Sequence, residues 1–73
     1  MSTVKEVTAM MAGIVVDVLV KPGDVISEGQ DVVLIESMKM QMPVASQLSG
    51  KVAEILVGTS DFVNEGEPLL RVE

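Results

Sequence analysis

Residues 13–36 read GIVVDVLVKPGDVISEGQDVVLIE, and residues 50–73 read GKVAEILVGTSDFVNEGEPLLRVE. Laid on each other at an offset of 37, they align without a gap. Eight of the twenty-four positions are identical: Gly13/Gly50, Val15/Val52, Leu19/Leu56, Val20/Val57, Asp24/Asp61, Glu28/Glu65, Gly29/Gly66 and Glu36/Glu73. Asp17/Glu54, Val18/Ile55 and Ile26/Val63 keep their chemistry. The chain is written twice, so its fold is to be built from one unit and its copy.

Each unit reads as short strands between turn signals, the pattern of an all-β sandwich or barrel. Lys21-Pro22-Gly23-Asp24 suits a turn with proline second and a positive-φ glycine third. Glu28-Gly29 and Glu65-Gly66 supply a further turn in each unit. In GIVVDVLV the apolar spacing slips from even to odd around Val16 and Asp17, which predicts a bulge that bends the strand. Two such units pack most simply about a pseudo-twofold axis, each covering the other's apolar face. The glycines Gly13, Gly29, Gly50 and Gly66 serve the backbone, and Asp24, Asp61, Glu28 and Glu65 serve turns and solubility.

Carried upstream, the same offset pairs Val7 with Val44 and, more loosely, Thr3 with Met40, so the repeats are residues 3–36 and 40–73 within a single domain of residues 1–73. Only Ser37-Met38-Lys39 stands between them. In the run ESMKMQMP, residues 36–43, the methionines at 38, 40 and 42 first suggest one continuous strand with an incidental lysine. The repeat divides that strand. It assigns Met42 to the core of the second unit and puts Lys39 at the joint, in a hairpin turn. Tight hairpin turns favour Asn and Gly, so Met38 and Lys39 are placed against local turn chemistry, which points to function. An ordinary exposed lysine is merely solvated; its place at the joint singles this one out.

Composition narrows the function. Without cysteine or histidine, the chain has neither a disulfide nor the usual zinc ligands, and the 48% apolar residues must supply stability by packing. The absence of cysteine also fits a reducing, cytosolic setting. Net charge is −6, the five basic residues are scattered, and Phe62 is the only aromatic, which argues against nucleic acid as a partner. The apolar run from Val7 to Val20 is interrupted by Gly13 and Asp17 and is too short to span a membrane, so a soluble, unprocessed chain is expected. No set of nucleophile, base and metal ligands is present, so no catalytic activity is expected.

ESMKM followed by GKVAEILV, with KPGDVISEGQ before and DFVNEGEPLL after, resembles the biotinyl/lipoyl domain family. The similarity is greatest to the small free-standing biotin/lipoyl attachment proteins. It covers residues 8–73. The resemblance implies a flattened barrel-sandwich of two four-stranded antiparallel sheets with quasi-twofold symmetry. It implies that Lys39 is the covalent biotin attachment site, an amide with biotin, and that Glu36, Met38 and Met40 are read by biotin protein ligase. Because the lysine ammonium is a poor nucleophile, the ligase must supply an activated biotinyl-adenylate and accept a proton. The implied role is a non-catalytic biotin carboxyl carrier, shuttling carboxybiotin between the biotin carboxylase and carboxyltransferase subunits, with a monomer expected in isolation. Tethering raises the cofactor's effective concentration at both sites.

The chain departs from the family in three places. The thumb loop of some biotinyl domains has no room where Val20 to Val25 passes through KPGD. Met10 and Ala12 stand where prolines are frequent, and Ser60-Asp61 stands for a Gly-Asp pair. Two alternatives stay open. One is a lipoyl carrier of 2-oxo acid dehydrogenase complexes, with lipoate as cofactor, although the lysine there usually follows aspartate and here follows Met38. The other is an unmodified module that binds a partner protein.

Overall fold

The structure is a computed structural model and describes residues 5–73. Thr3, counted above in the first repeat, lies outside the described residues. Among the described residues, all regular elements are strands: β1 Lys5–Thr8, β2 Gly13–Val18, β3 Val25–Ile26, β4 Asp31–Ser37, β5 Met40–Ala45, β6 Gly50–Ile55, β7 Phe62–Val63 and β8 Pro68–Val72. They form two four-stranded sheets, ordered β1-β8-β6-β3 and β5-β4-β2-β7, with every pairing antiparallel. This is the all-β barrel-sandwich expected from the sequence. Among the described residues, no helix is long and apolar enough to cross a membrane.

The strand register follows the same offset of 37. Lys5 faces Val72 and Val7 faces Leu70 in one sheet, while Met42 faces Ile35 and Val44 faces Val33 in the other. Val25 faces Lys51 as Phe62 faces Ile14. Each sheet therefore takes two strands from either half of the chain, and neither half completes a sheet alone.

Alternation along these strands explains the core. Val7, Val15, Ile35, Val44, Val52 and Leu70 all point between the sheets and are fully buried. The bulge expected near Val16 is present, since the β2-β4 register shifts between Val15 and Asp17. The matching shift on β6 lies between Val52 and Glu54. The β2 bulge keeps both Val15 and Val18 on the inner side although they are an odd number of residues apart.

Turns follow their residue chemistry. The Asp24 N–H donates to the Lys21 carbonyl at 3.0 Å, and Gly23 sits third with φ 96°. The Lys21 N–H in turn donates to Asp24 Oδ2 at 3.0 Å, and the Gly58 N–H donates likewise to Asp61 Oδ2 at 2.8 Å. Ser60, aligned with Gly23, adopts φ 76°, so the departure at Ser60-Asp61 keeps the glycine conformation without the glycine. The tight turn after Val20 leaves β2 and β3 joined with no thumb.

Met42 does not behave as expected. It is half-buried on β5 and stands outside the core cluster. The reason is positional: β5 is the edge of its sheet and Met42 lies toward its hairpin end, so it has a strand neighbour, Ile35, on one side only, whereas Val44 further along β5 is buried.

Candidate functional site

Strands β4 and β5 run as one hairpin beyond the core. From Ile35 facing Met42, the ladder continues through Glu36 facing Gln41 to Ser37 facing Met40. Ser37 thus belongs to the ladder, and the loop is only two residues, Met38 and Lys39. Their φ values are 54° and 65°. Two successive positive φ values characterise the primed hairpin turn, whose twist matches that of the strands it joins. The long unbranched side chains of Met38 and Lys39 are held in a conformation that Asn and Gly adopt at less cost.

The turn sends its side chains away from the protein. Met38 is 92% exposed, Met40 is 63% exposed, and Lys39 between them is exposed. The ion pairs among the described residues lie on the other sheet, where Arg71 meets Glu6 at 3.8 Å and Glu54 at 3.3 Å; Lys39 enters neither. Glu36 points outward from β4, flanked by Gln41 on β5 and Ile14 on β2. Glu36, Met38, Lys39 and Met40 are therefore brought together at one hairpin end.

Sequence reasoning missed what stands beside them. Ile14 faces both Glu36 and Phe62, so a row of Gln41, Glu36, Ile14 and Phe62 crosses the outer face of the sheet next to the hairpin. The signal lay in a pairing between strands of different halves, β2 with β7, which the alignment of one half on the other does not reveal.

Chemically, the hairpin offers a primary amine and nothing to activate it. Among the described residues there is no group of three or more potential metal ligands. The hollow lined by Lys5, Leu48, Ser49, Val72 and Glu73 takes in no residue of the hairpin. Such an amine can be acylated only by a group activated elsewhere. A cofactor joined by an amide needs an accessible amine free of internal partners and a tether clear of the surface, and this hairpin end provides both.

Comparison with known proteins gives the family of the chain. The family model described as "Biotin-requiring enzyme", of the biotin/lipoyl type, matches residues 4–72. The mitochondrial propionyl-CoA carboxylase alpha chain of Mus musculus is 61% identical over 31 residues, which are 42% of this chain and 4% of that one. The biotin/lipoyl attachment protein of Bacillus subtilis is 48% identical over 40 residues, 55% of each chain. Among solved structures, the Kluyveromyces lactis urea carboxylase superposes with a TM-score of 0.90 at 27% identity, over 100% of this chain and 6% of that one. The matched region spans about half of the attachment protein and a small part of the carboxylases.

Proposed function

The chain belongs to the biotin-requiring, biotin/lipoyl domain family, and on that premise we propose that it is a biotin carrier whose attachment residue is Lys39. The observation that carries the reading is the pair of positive φ values, 54° and 65°, that hold an exposed Met38-Lys39 at the hairpin tip. A turn selected for stability alone would not keep these residues there. Biotin protein ligase is the partner that acylates Nζ, and Glu36, Met38 and Met40 are the residues it reads. Biotin carboxylase and carboxyltransferase components are the partners of the loaded domain.

When bound, biotin supplies a carrier for carboxylate between two catalytic sites. The residues of this chain contribute presentation. The Lys39 ammonium loses one proton to become the attacking amine and a second as the amide forms, while the acyl–phosphate bond of the activated group breaks and AMP leaves, so the positive charge at the tip is lost on loading. Ser37 and Met40 close the ladder directly beneath it and fix the root of the arm. Residues 1–73 act as one non-catalytic domain, working in the cytosol.

The test is intact-mass measurement of purified protein incubated with biotin, ATP and biotin protein ligase, followed by peptide mapping. One biotinyl group on Lys39, and none on Lys5, Lys21 or Lys51, is expected. An unmodified Lys39 would overturn the reading, and acceptance of a lipoyl group in its place would favour the lipoyl alternative. Lys39→Ala is expected to lose modification and keep its melting temperature, because the side chain is exposed at the tip and enters neither ion pair.

A further inference from the structure

The two sheets share one register, yet their outer faces differ. On the β1-β8-β6-β3 sheet, the outward positions hold Glu6, Arg71, Glu54, Lys51 and Glu73, with Arg71 bridging two of the acids at 3.8 and 3.3 Å. At the positions displaced by the offset, the β5-β4-β2-β7 sheet holds Pro43, Leu34, Asp17, Ile14 and Glu36. Phe62 extends this face, 62% exposed, directly opposite Ile14, which is 46% exposed; its counterpart Val25 is 77% exposed but faces Lys51, so an exposed apolar pair forms on this side alone. The protein thus contains its own control. The same backbone positions that accept lysine and arginine on one side present isoleucine and leucine on the other, and solvation does not select for that.

We propose that the outer face of the β5-β4-β2-β7 sheet, centred on Ile14 and Phe62, is the docking surface for the enzyme that acylates Lys39. That enzyme presents an apolar patch rimmed by lysine or arginine. The proposal rests on Lys39 being the attachment residue. Reach argues for this occupant over a later one: before loading, the amine stands on a four-carbon stem, so the acylating site must come down onto the surface beside the hairpin. After loading, the long tether relaxes that demand. Charge argues against a second copy. The charged residues named on this face, Glu36 and Asp17, are both acidic, and two copies would bring like charges together within a chain of net charge −6. A basic rim complements them.

The test compares wild type with a double variant, Ile14→Lys and Phe62→Val, which copies Lys51 and Val25 from the opposite sheet. Steady-state biotinylation by purified biotin protein ligase and dissociation constants from titration calorimetry are measured beside thermal melts. KM and Kd are expected to rise about tenfold, the loss typical when a buried interface anchor goes, with kcat and melting temperature unchanged. Lys51→Ile, on the opposite face, is expected to change neither constant. Raising salt is expected to raise the wild-type KM. Wild-type KM and Kd in the double variant would overturn the proposal, as would a concentration-dependent dimer that this variant abolishes without altering KM. If the double variant melts without cooperativity, Phe62→Ser alone serves the same comparison. A wild-type protein left unmodified at Lys39 is a different result, and removes the attachment reading itself.

Discussion

Met38 and Lys39 show what the hairpin gives up in stability. A left-handed conformation costs an ordinary L-residue roughly 1–2 kcal/mol, and here two consecutive residues adopt it, at φ 54° and 65°. Replacing Met38 by Asn together with Lys39 by Gly installs the residues this turn prefers. The melting temperature is expected to rise, by about 4–8 °C for each kcal/mol recovered in a domain of this size, while modification is lost. Circular dichroism melts measure the first effect and intact mass the second. A fall in melting temperature would mean that these side chains make stabilising contacts in solution. Ser60 offers the same lesson away from the site. It holds φ 76° where its counterpart Gly23 holds 96°, so Ser60→Gly is expected to stabilise by about 0.5–1 kcal/mol, the relief of strain being partly offset by glycine's greater chain entropy. The shift in urea midpoint checks it, and an unchanged midpoint would count against strain at Ser60.

At the level of strands, Gly13 is the point where close packing is decided. A Cβ there would lie 2.5 Å from the Glu36 carbonyl oxygen and 2.6 Å from Ile35 Cγ2, and one on Gly50 would meet the Glu73 carbonyl and Val72 in the same way. Gly13→Ala is expected to cost about 1–3 kcal/mol, as overpacking does, because backbone cannot swing aside as a side-chain end can. Since Glu36 follows Ile35 into the hairpin, the same variant is expected to weaken ligase recognition. A variant as stable as wild type in chemical denaturation would show that β2 and β4 can separate freely. Much of this element-level structure was legible in advance. The slip of apolar spacing around Val16 is the bulge, and Lys21-Pro22-Gly23-Asp24 is the turn its residues call for. What was not legible came from the ends and from pairings across the halves. Alternation marks Met42 as inward, but no alternation says which strand forms the edge of a sheet, so its half-burial was not legible. Ile14 reads as one more apolar strand residue until β2 is known to lie beside β7, where it meets Phe62 on the outside.

For the whole molecule, the decisive fact is how the halves share the sheets. Strands β1 and β3 lie with β6 and β8, while β5 and β7 lie with β2 and β4. A half-chain therefore keeps only one native neighbour pair, β2 with β4 or β6 with β8. It loses the partners that cover Val7, Val15, Val52 and Leu70, all fully buried in the intact chain. Two strands with an uncovered apolar face are marginal in water. Fragments 1–38 and 39–73 are expected to show no cooperative unfolding when each is alone and dilute, and to recover a cooperative melt when mixed in equal amounts. The cut falls between the two loop residues, so it removes no ladder hydrogen bond and tests only the interlocking. Circular dichroism melts of each fragment and of the mixture are the measurement. Cooperative melting of either fragment alone as a monomer would mean that one unit forms its own core. With stability drawn from strands that interlock across the sandwich, the two-residue loop at Lys39 is free to carry unfavourable turn residues and, on the proposed function, to change its charge on loading.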